Sequence, residues 1–258
     1  MERKHTFDQV AEAYEKYRPA YPSELFRDVQ EYALLQPGDP ILEIGCGTGQ
    51  ATQGFVQMGC DTITCVELGE RLAAFTREKF KAHPGVEVIQ AAFEQWEGAG
   101  RQFKLAISGT AFHFIQPQEL GYRKVHKLLE ENGVIAFFWT VHVPSYEPVF
   151  NEIREWYRRF APNLEDSRKP AVEQVIEQRV EWTERHGLFR DIRAKSYRRV
   201  DPLSADAFVA LLATNSGHRL LPEADREQLF NGIKETIERH GGTVSRPQAV
   251  VLVLARKA

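Results

Sequence analysis

Between residues 40 and 141 the chain alternates short apolar runs with segments of helical period, and few folds tolerate that alternation. The order is PILEIGC, GQATQGFVQM, TITCVEL, ERLAAFTREKF, VEVIQAAF, FKLAISG, PQELGYRKVHKLLE and GVIAFFWTV. In outline this is β-α-β-α-β-β-α-β. Strands apolar on both sides need cover on both faces, and the helices between them supply the crossovers that parallel strands require. The expectation is an α/β fold, a doubly wound and mainly parallel sheet. With 258 residues, 43% of them hydrophobic, the chain can bury that sheet as a single domain, 1–258.

The flanks read as helices and two further strands. In HTFDQVAEAYEKYRP, Thr6 and Gln9 fit a capping box, and Phe7, Val10, Ala11, Tyr14 and Tyr17 recur at helical spacing. Pro19 and Pro22 end this helix near Tyr17, and Ser23 is placed to cap a second helix running to about Leu35. Residues 1–35 thus form a helical segment ahead of the sheet. Residues 146–186 are helical in pattern, with Gly187 as a C-cap, so 142–188 reads as a helical cap inserted after the fifth strand. IRAKSYRRV then alternates as a strand, SADAFVALLA and PEADREQLFNGIKETIERHGG read as helices, and QAVVLVLARK closes as a last strand.

Charge and composition remove several functions. The net charge of −3 supplies no overall positive field for nucleic acid or an anionic membrane. No run approaches the roughly 20 apolar residues of a membrane span, and MERKHTFDQV lacks a signal-peptide core, so a cytoplasmic protein is expected. Cys46, Cys60 and Cys65 match no zinc spacing and read as reduced, small apolar residues. The eight histidines are scattered singly, and no metal is expected.

The strand ending at Glu43-Ile44 is followed by Gly45, Gly47 and Gly49 and then by a helix. Dinucleotide binders of the G-x-G-x-x-G type would need glycine at position 50, where this chain has Gln50. From these residues alone, a ligand cradle and a tight unliganded turn both stand. Glu67 ends the next apolar run 18 residues after Gly49, where a strand-tip carboxylate accepts hydrogen bonds from two ribose hydroxyls.

The E-x-G-x-G-x-G pattern resembles motif I of the class I S-adenosylmethionine-dependent methyltransferases. YEKYRPAYP, AISGTAFHFI and the tail LLATNSGHRLLPEADREQLFNGI extend the likeness to small-molecule enzymes similar to trans-aconitate methyltransferase, over nearly the whole chain. The resemblance implies a Rossmann-like seven-stranded sheet in the order 3-2-1-4-5-7-6, its last strand antiparallel, with residues 1–35 as a lid. It implies S-adenosyl-L-methionine as cofactor, walled by Glu43, Gly45, Cys46, Gly47 and Gly49. Glu67 and Leu68 fall at the ribose, Ser108 ends the fourth strand, and Tyr14 and Arg18 reach over from the lid, Arg18 toward the methionyl carboxylate or an acidic substrate. Where relatives carry Asp, this chain has Ala92, so the adenine edge is left to the Phe93 backbone and ring and to Glu94.

Methyl transfer from a sulfonium is an in-line displacement that asks mainly for alignment in a dry pocket. His113 follows the fourth strand and is the candidate base, while its neighbours Phe112 and Phe114 suit a packed aromatic wall equally. Thr140 and His142 end the fifth strand. Ser216, His218 and Arg219 either meet an anionic substrate or cap a loop, and Trp139, Trp156 and Trp182 read as packing. The expected function is methylation of a small molecule, at a carboxylate or another oxygen or nitrogen nucleophile, by a monomer or homodimer. The alternatives are a nucleic-acid or protein methyltransferase, which lacks support from any N-P-P-Y loop, P-C dipeptide or basic domain, and a non-catalytic S-adenosylmethionine-binding protein.

Overall fold

Residues 11–166 and 169–258 are described by a computed structural model of the chain. The capping box expected at Thr6 and Gln9 lies outside these residues. The elements in chain order are α1 (Ala11–Tyr17), α2 (Ser23–Ala33), β1 (Ile41–Ile44), α3 (Gln50–Gln57), β2 (Ile63–Glu67), α4 (Glu70–Lys79), β3 (Val86–Gln90), β4 (Phe103–Gly109), α5 (Gln118–Leu128) and β5 (Leu129–His142). They continue as α6 (Pro148–Phe160), α7 (Val172–Glu184), β6 (Phe189–Ser204), α8 (Ala205–Ala213), α9 (Ser216–Arg219), α10 (Glu223–Arg239) and β7 (Thr243–Lys257).

The seven strands form one sheet in the order β3-β2-β1-β4-β5-β7-β6. The pairs among β1 to β5 are parallel, with Ile41 beside both Ile63 and Leu105. β7 runs the other way: its end reaches the start of β5, where the Lys257 ammonium donates to the Leu129 carbonyl, and Val143, just past β5, donates to Pro247 near the start of β7. β1 and β2 bury every residue, as strands covered on both faces must. β6 is the edge strand, largely exposed, and it carries Arg190, Arg193, Lys195, Arg198 and Arg199, charges of the kind that discourage edge-to-edge pairing.

The chain divides into two compact units. The larger comprises residues 20–140, 172–197 and 250–258. Alternate residues of each strand feed two cores: Ile41, Leu105, Val134 and Leu252 pack with Leu25, Val29 and Phe55, while Leu42, Ala106, Ile135 and Val253 pack with Phe112, Tyr122 and Val125. Of the described residues, the smaller unit comprises 11–19, 141–166, 169–171 and 198–249. Its core joins Phe150, Ile153 and Tyr157 of α6 to Phe208 and Leu212 of α8 and Leu229, Ile233 and Ile237 of α10. Gly232 is needed there because a Cβ would lie 2.3 Å from the Trp156 ring.

Two expectations are corrected. Pro22, not Ser23, occupies the N-cap of α2, and the Ser23 hydroxyl turns to the Glu24 carboxylate. The segment from 146 to 186 is not continuous helix: α6 ends at Phe160, Pro162 opens a short 3-10 turn, and α7 begins only at Val172. α6 belongs to the smaller unit and α7 to the larger, where Arg179 lies between the Trp139 and Trp182 rings.

Candidate functional site

The loop from β1 to α3 has three glycines at positive φ, and they are bare for different reasons. A Cβ on Gly45 (φ 70°) would stand 2.5 Å from that of Ala111, and one on Gly49 (φ 75°) 2.4 Å from the Phe80 ring. One on Gly47 (φ 58°) would meet nothing within 4 Å. The outer two glycines admit the protein's own packing, and the middle one keeps backbone exposed to open space.

Around Gly47 the loop is held from several sides. Its N–H donates to Glu67 Oε2 at 2.8 Å, and Gly69 N–H donates to Oε1 of the same carboxylate at 2.8 Å. The Thr76 hydroxyl donates to the Gly47 carbonyl at 2.7 Å and Lys79 Nζ to the Thr48 carbonyl at 3.1 Å. Glu67, only 6% exposed, therefore fixes the loop through charge-assisted bonds. A carboxylate offers about four acceptor directions, so this role is compatible with receiving ribose hydroxyls as well.

Beneath the loop the structure is more internal than the resemblance implied. Glu43 is 1% exposed; Thr52 Oγ1 donates to it at 2.6 Å, and burial pushes its carboxyl up to about 7. Cys46 is buried, its thiol raised well above the ordinary value by its hydrogen bond with Cys65 and by burial. Ser108 is fully buried and donates to the Ile44 carbonyl at 2.7 Å, tying β4 to the end of β1. Cys60 is likewise buried, and all three thiols are free.

At the ends of β2 and β3, the Leu68 carbonyl accepts from Gln90 Nε2, and Ala92 is half-buried. The Phe93 side chain lies in the core beside Trp96, so what this residue offers a ligand is backbone. The Glu94 carboxylate is exposed. His113 sits in a 3-10 turn with its ring 4.1 Å from that of Phe114, while Phe112 is wholly buried and stacks on Phe137 at 4.1 Å.

The sequence reading passed over Thr110. This β-branched residue has φ 56°, a strained conformation, at the C-terminal end of a central parallel strand, where open α/β sheets bind ligands. Its N–H donates to the Phe138 carbonyl at 2.7 Å, and its hydroxyl accepts from Thr140 N–H at 3.2 Å and lies 3.4 Å from that of Tyr21. Thr140 is thereby placed beside Thr110. A Cβ on Gly109 would fall 2.7 Å from the Tyr21 hydroxyl, so the SGT triplet was the available signal.

Tyr14 and Arg18 belong to the smaller unit. Arg18 donates to Thr214 Oγ1 at 3.1 Å and Asn215 Oδ1 at 2.8 Å, and its guanidinium lies 4.5 Å from the centre of the Tyr14 ring. His142 and His218 are also there, His142 on Asp166 and His218 on Tyr157.

Residues 41–133 match the family described as a methyltransferase domain. These residues are a class I methyltransferase domain. A methyltransferase-like protein of Schizosaccharomyces pombe, C25B8.10, is 25% identical over 162 residues, or 62% of this chain, and the chain spans 61% of its length. The uncharacterized methyltransferase C25B8.09 of the same yeast is 21% identical over 243 residues, covering 94% of this chain and 90% of that protein. Among solved structures, phosphoethanolamine N-methyltransferase 2 of Haemonchus contortus, with phosphomonomethylethanolamine and S-adenosylhomocysteine, shares the fold: TM-score 0.55 and 15% identity over 97% of this chain and 58% of that one. The methyl donor of the domain is S-adenosylmethionine. The bare backbone at Gly47 and the carboxylate of Glu67 fit it, the one by leaving room and the other by its acceptor oxygens.

Proposed function

We propose that the chain transfers the methyl group of S-adenosylmethionine to an oxygen or nitrogen nucleophile of a small molecule, with a carboxylate as the leading acceptor class. The observation that carries this reading is Gly47, bare toward open space on a loop otherwise pinned by Glu67, Thr76 and Lys79. The cofactor supplies a methyl group activated by its sulfonium, and the protein's part is to hold and align. The Gly45–Gly49 backbone admits the ligand closely, Glu67 receives the ribose, and the Phe93 backbone and Glu94 face the adenine edge. A carboxylate acceptor is already ionised near neutral pH and needs positioning rather than a base. His113 would serve as base only for an acceptor that must lose a proton. Against a nucleic-acid substrate stands the net charge of −3.

The test is transfer of isotope-labelled methyl to a panel of small organic acids, phenols and amines, with ribosomal RNA and a protein lysate in parallel. Label in small acids is the expected result. Label confined to RNA or protein would reject the small-molecule reading, and tight cofactor binding without transfer to any class would make the chain a non-catalytic binder. Glu67→Ala should weaken S-adenosylhomocysteine binding by roughly 2–3 kcal/mol in calorimetry, the size of a lost charge-assisted contact. Equal affinity would remove Glu67 from the site.

A further inference from the structure

The smaller unit contains a small cavity of about 50 Å³ at the base of an open recess, lined from the end of β5, α6, the segment after α6 that carries Asp166 and Lys169, α8, the α8–α9 junction, α9 and the start of β7. Two arginines of this cavity differ in a way that packing does not explain. Arg154, 4% exposed, is fully matched: its Nε lies 2.7 Å from Asp166 Oδ1 and 3.7 Å from Glu165 Oε1, and Nη1 donates to Asn151 Oδ1 at 2.8 Å. Arg246 has no carboxylate within 4.0 Å among the described residues, and its hydrogen bond is a 3.5 Å contact to Gln248 Oε1. Lys169 lines the same cavity, also with no ammonium partner among the described residues. Arg18, bonded to the cavity residue Asn215, adds further positive charge against Arg246.

The polar groups beside these cations are incomplete as well. His218 is 7% exposed; its Nε2 is 2.8 Å from the Tyr157 hydroxyl, and its buried Nδ1 has no hydrogen-bond partner among the described residues. Burial, then the charges of Lys169 and Arg246, drive its pKa down to about 3, so the ring is neutral at pH 7. Burial holds the Tyr157 proton on its oxygen. With that hydroxyl donating to Nε2, the hydrogen of the neutral ring sits on Nδ1 as an unused donor. Burial is the main cause lowering the pKa values of Lys169 and Arg246; Asp166 and Glu165 partly offset it at Lys169 and Asp201 at Arg246, while Arg246 adds positive charge at Lys169 and Arg18 at Arg246. A desolvated cation without a carboxylate in ion-pair contact is costly, and so is a buried donor without an acceptor. An anionic group in this cavity would give the two cations a counter-charge and the His218 Nδ1–H an acceptor.

We propose that this cavity binds the anionic oxygen group, carboxylate or phosphate, of a small molecule, with Arg246 and Lys169 as its counter-charges and His218 Nδ1–H as its orienting donor. Identifying the bound molecule as the methyl acceptor rests on the methyltransferase reading above; the anion site itself does not.

The full chain, without cofactor, is titrated calorimetrically with tricarballylate and, separately, with glycerol 3-phosphate at low and at physiological salt. At least one binds, more weakly at the higher salt, and the arm that responds identifies carboxylate or phosphate. Arg246→Met weakens that binding at least tenfold while leaving the thermal midpoint unchanged or raised, since it removes a desolvated charge that has no ion-pair partner among the described residues. S-adenosylhomocysteine binding by the same variant verifies that the larger unit is folded. Should Arg246→Met not fold, Lys169→Met and the ¹⁵N shift of the His218 ring on adding ligand carry the test. No binding of either anion up to tens of millimolar overturns the proposal, and so does binding that is indifferent to both the Arg246 and Lys169 substitutions. A bound anion that is never methylated leaves the cavity assignment standing and rejects its identification as acceptor.

Discussion

The two units reach ligand chemistry by opposite routes. In the larger, the site is a run of backbone from Gly45 to Gly49, and its polar groups are already satisfied: Glu67 takes two N–H groups and Thr76 and Lys79 take carbonyls. In the smaller, the proposed anion site is assembled from side chains brought from α6, from residue 169, from α9 and from β7; among the described residues Arg246 and Lys169 have no carboxylate in ion-pair contact, Arg246 reaching Gln248, and the His218 Nδ1 has no hydrogen-bond partner. A cofactor common to a whole family can be met by a rigid main-chain cradle. An acceptor that varies between enzymes is better met by replaceable side chains, which carry their unpaired charges as a standing cost.

The sharpest way to break this contrast is at the glycines. Gly47→Val should abolish S-adenosylhomocysteine binding in calorimetry while lowering stability only by the strain of a branched residue at φ 58°, about 1–3 kcal/mol. Gly49→Ala should instead destabilise the fold, because its Cβ meets Phe80 at 2.4 Å. If Gly47→Val binds normally, the middle glycine is not a ligand wall.

The next largest effect separates the two arginines. Arg154→Ala removes the guanidinium beside Asp166 and Glu165 and should cost about 3–5 kcal/mol in chemical denaturation, whereas Arg246→Met should cost nothing. Equal losses from both would mean that Arg246 is structural.

A smaller effect, on the order of 3 kcal/mol, is expected from Glu43. Below pH 4.5 this carboxyl is protonated in both folded and unfolded chains. Between 4.5 and about 7 the unfolded chain ionises it while the folded protein retains the proton, so stability from this group falls as pH rises through that window. Glu43→Gln should flatten that slope in denaturation curves measured at pH 5, 6, 7 and 8. A slope unchanged by the substitution would show that Glu43 ionises freely in its pocket.

Much of the larger unit was legible because its information is local. Uniformly apolar strands announced a parallel sheet, Gly45, Gly47 and Gly49 announced a special turn, and Glu67 stood at the tip of β2. The strand order 3-2-1-4-5-7-6 came with the resemblance, and the structure has it. Thr110 escaped notice because its backbone strain comes from hydrogen bonds to Tyr21, Phe138 and Thr140, which are distant in sequence. The resemblance put Glu43 in the cofactor wall and Ser108 at the cofactor from the end of the fourth strand; what it could not give is that their side chains bond to Thr52 and to the Ile44 carbonyl, since a buried polar group takes a partner supplied by the fold.

By itself, then, the sequence determined the sheet, its crossovers and a turn able to admit a ligand, since periodicity and glycine placement act over a few residues. Only the tertiary structure decided which glycine faces open space, which arginine has carboxylates beside it and which histidine nitrogen is left without a partner. Those are properties of neighbours brought together from far along the chain. Arg154 and Arg246 are the same residue type, and the folded positions of Asp166 and Glu165 make one a structural ion pair and the other a charge awaiting an anion.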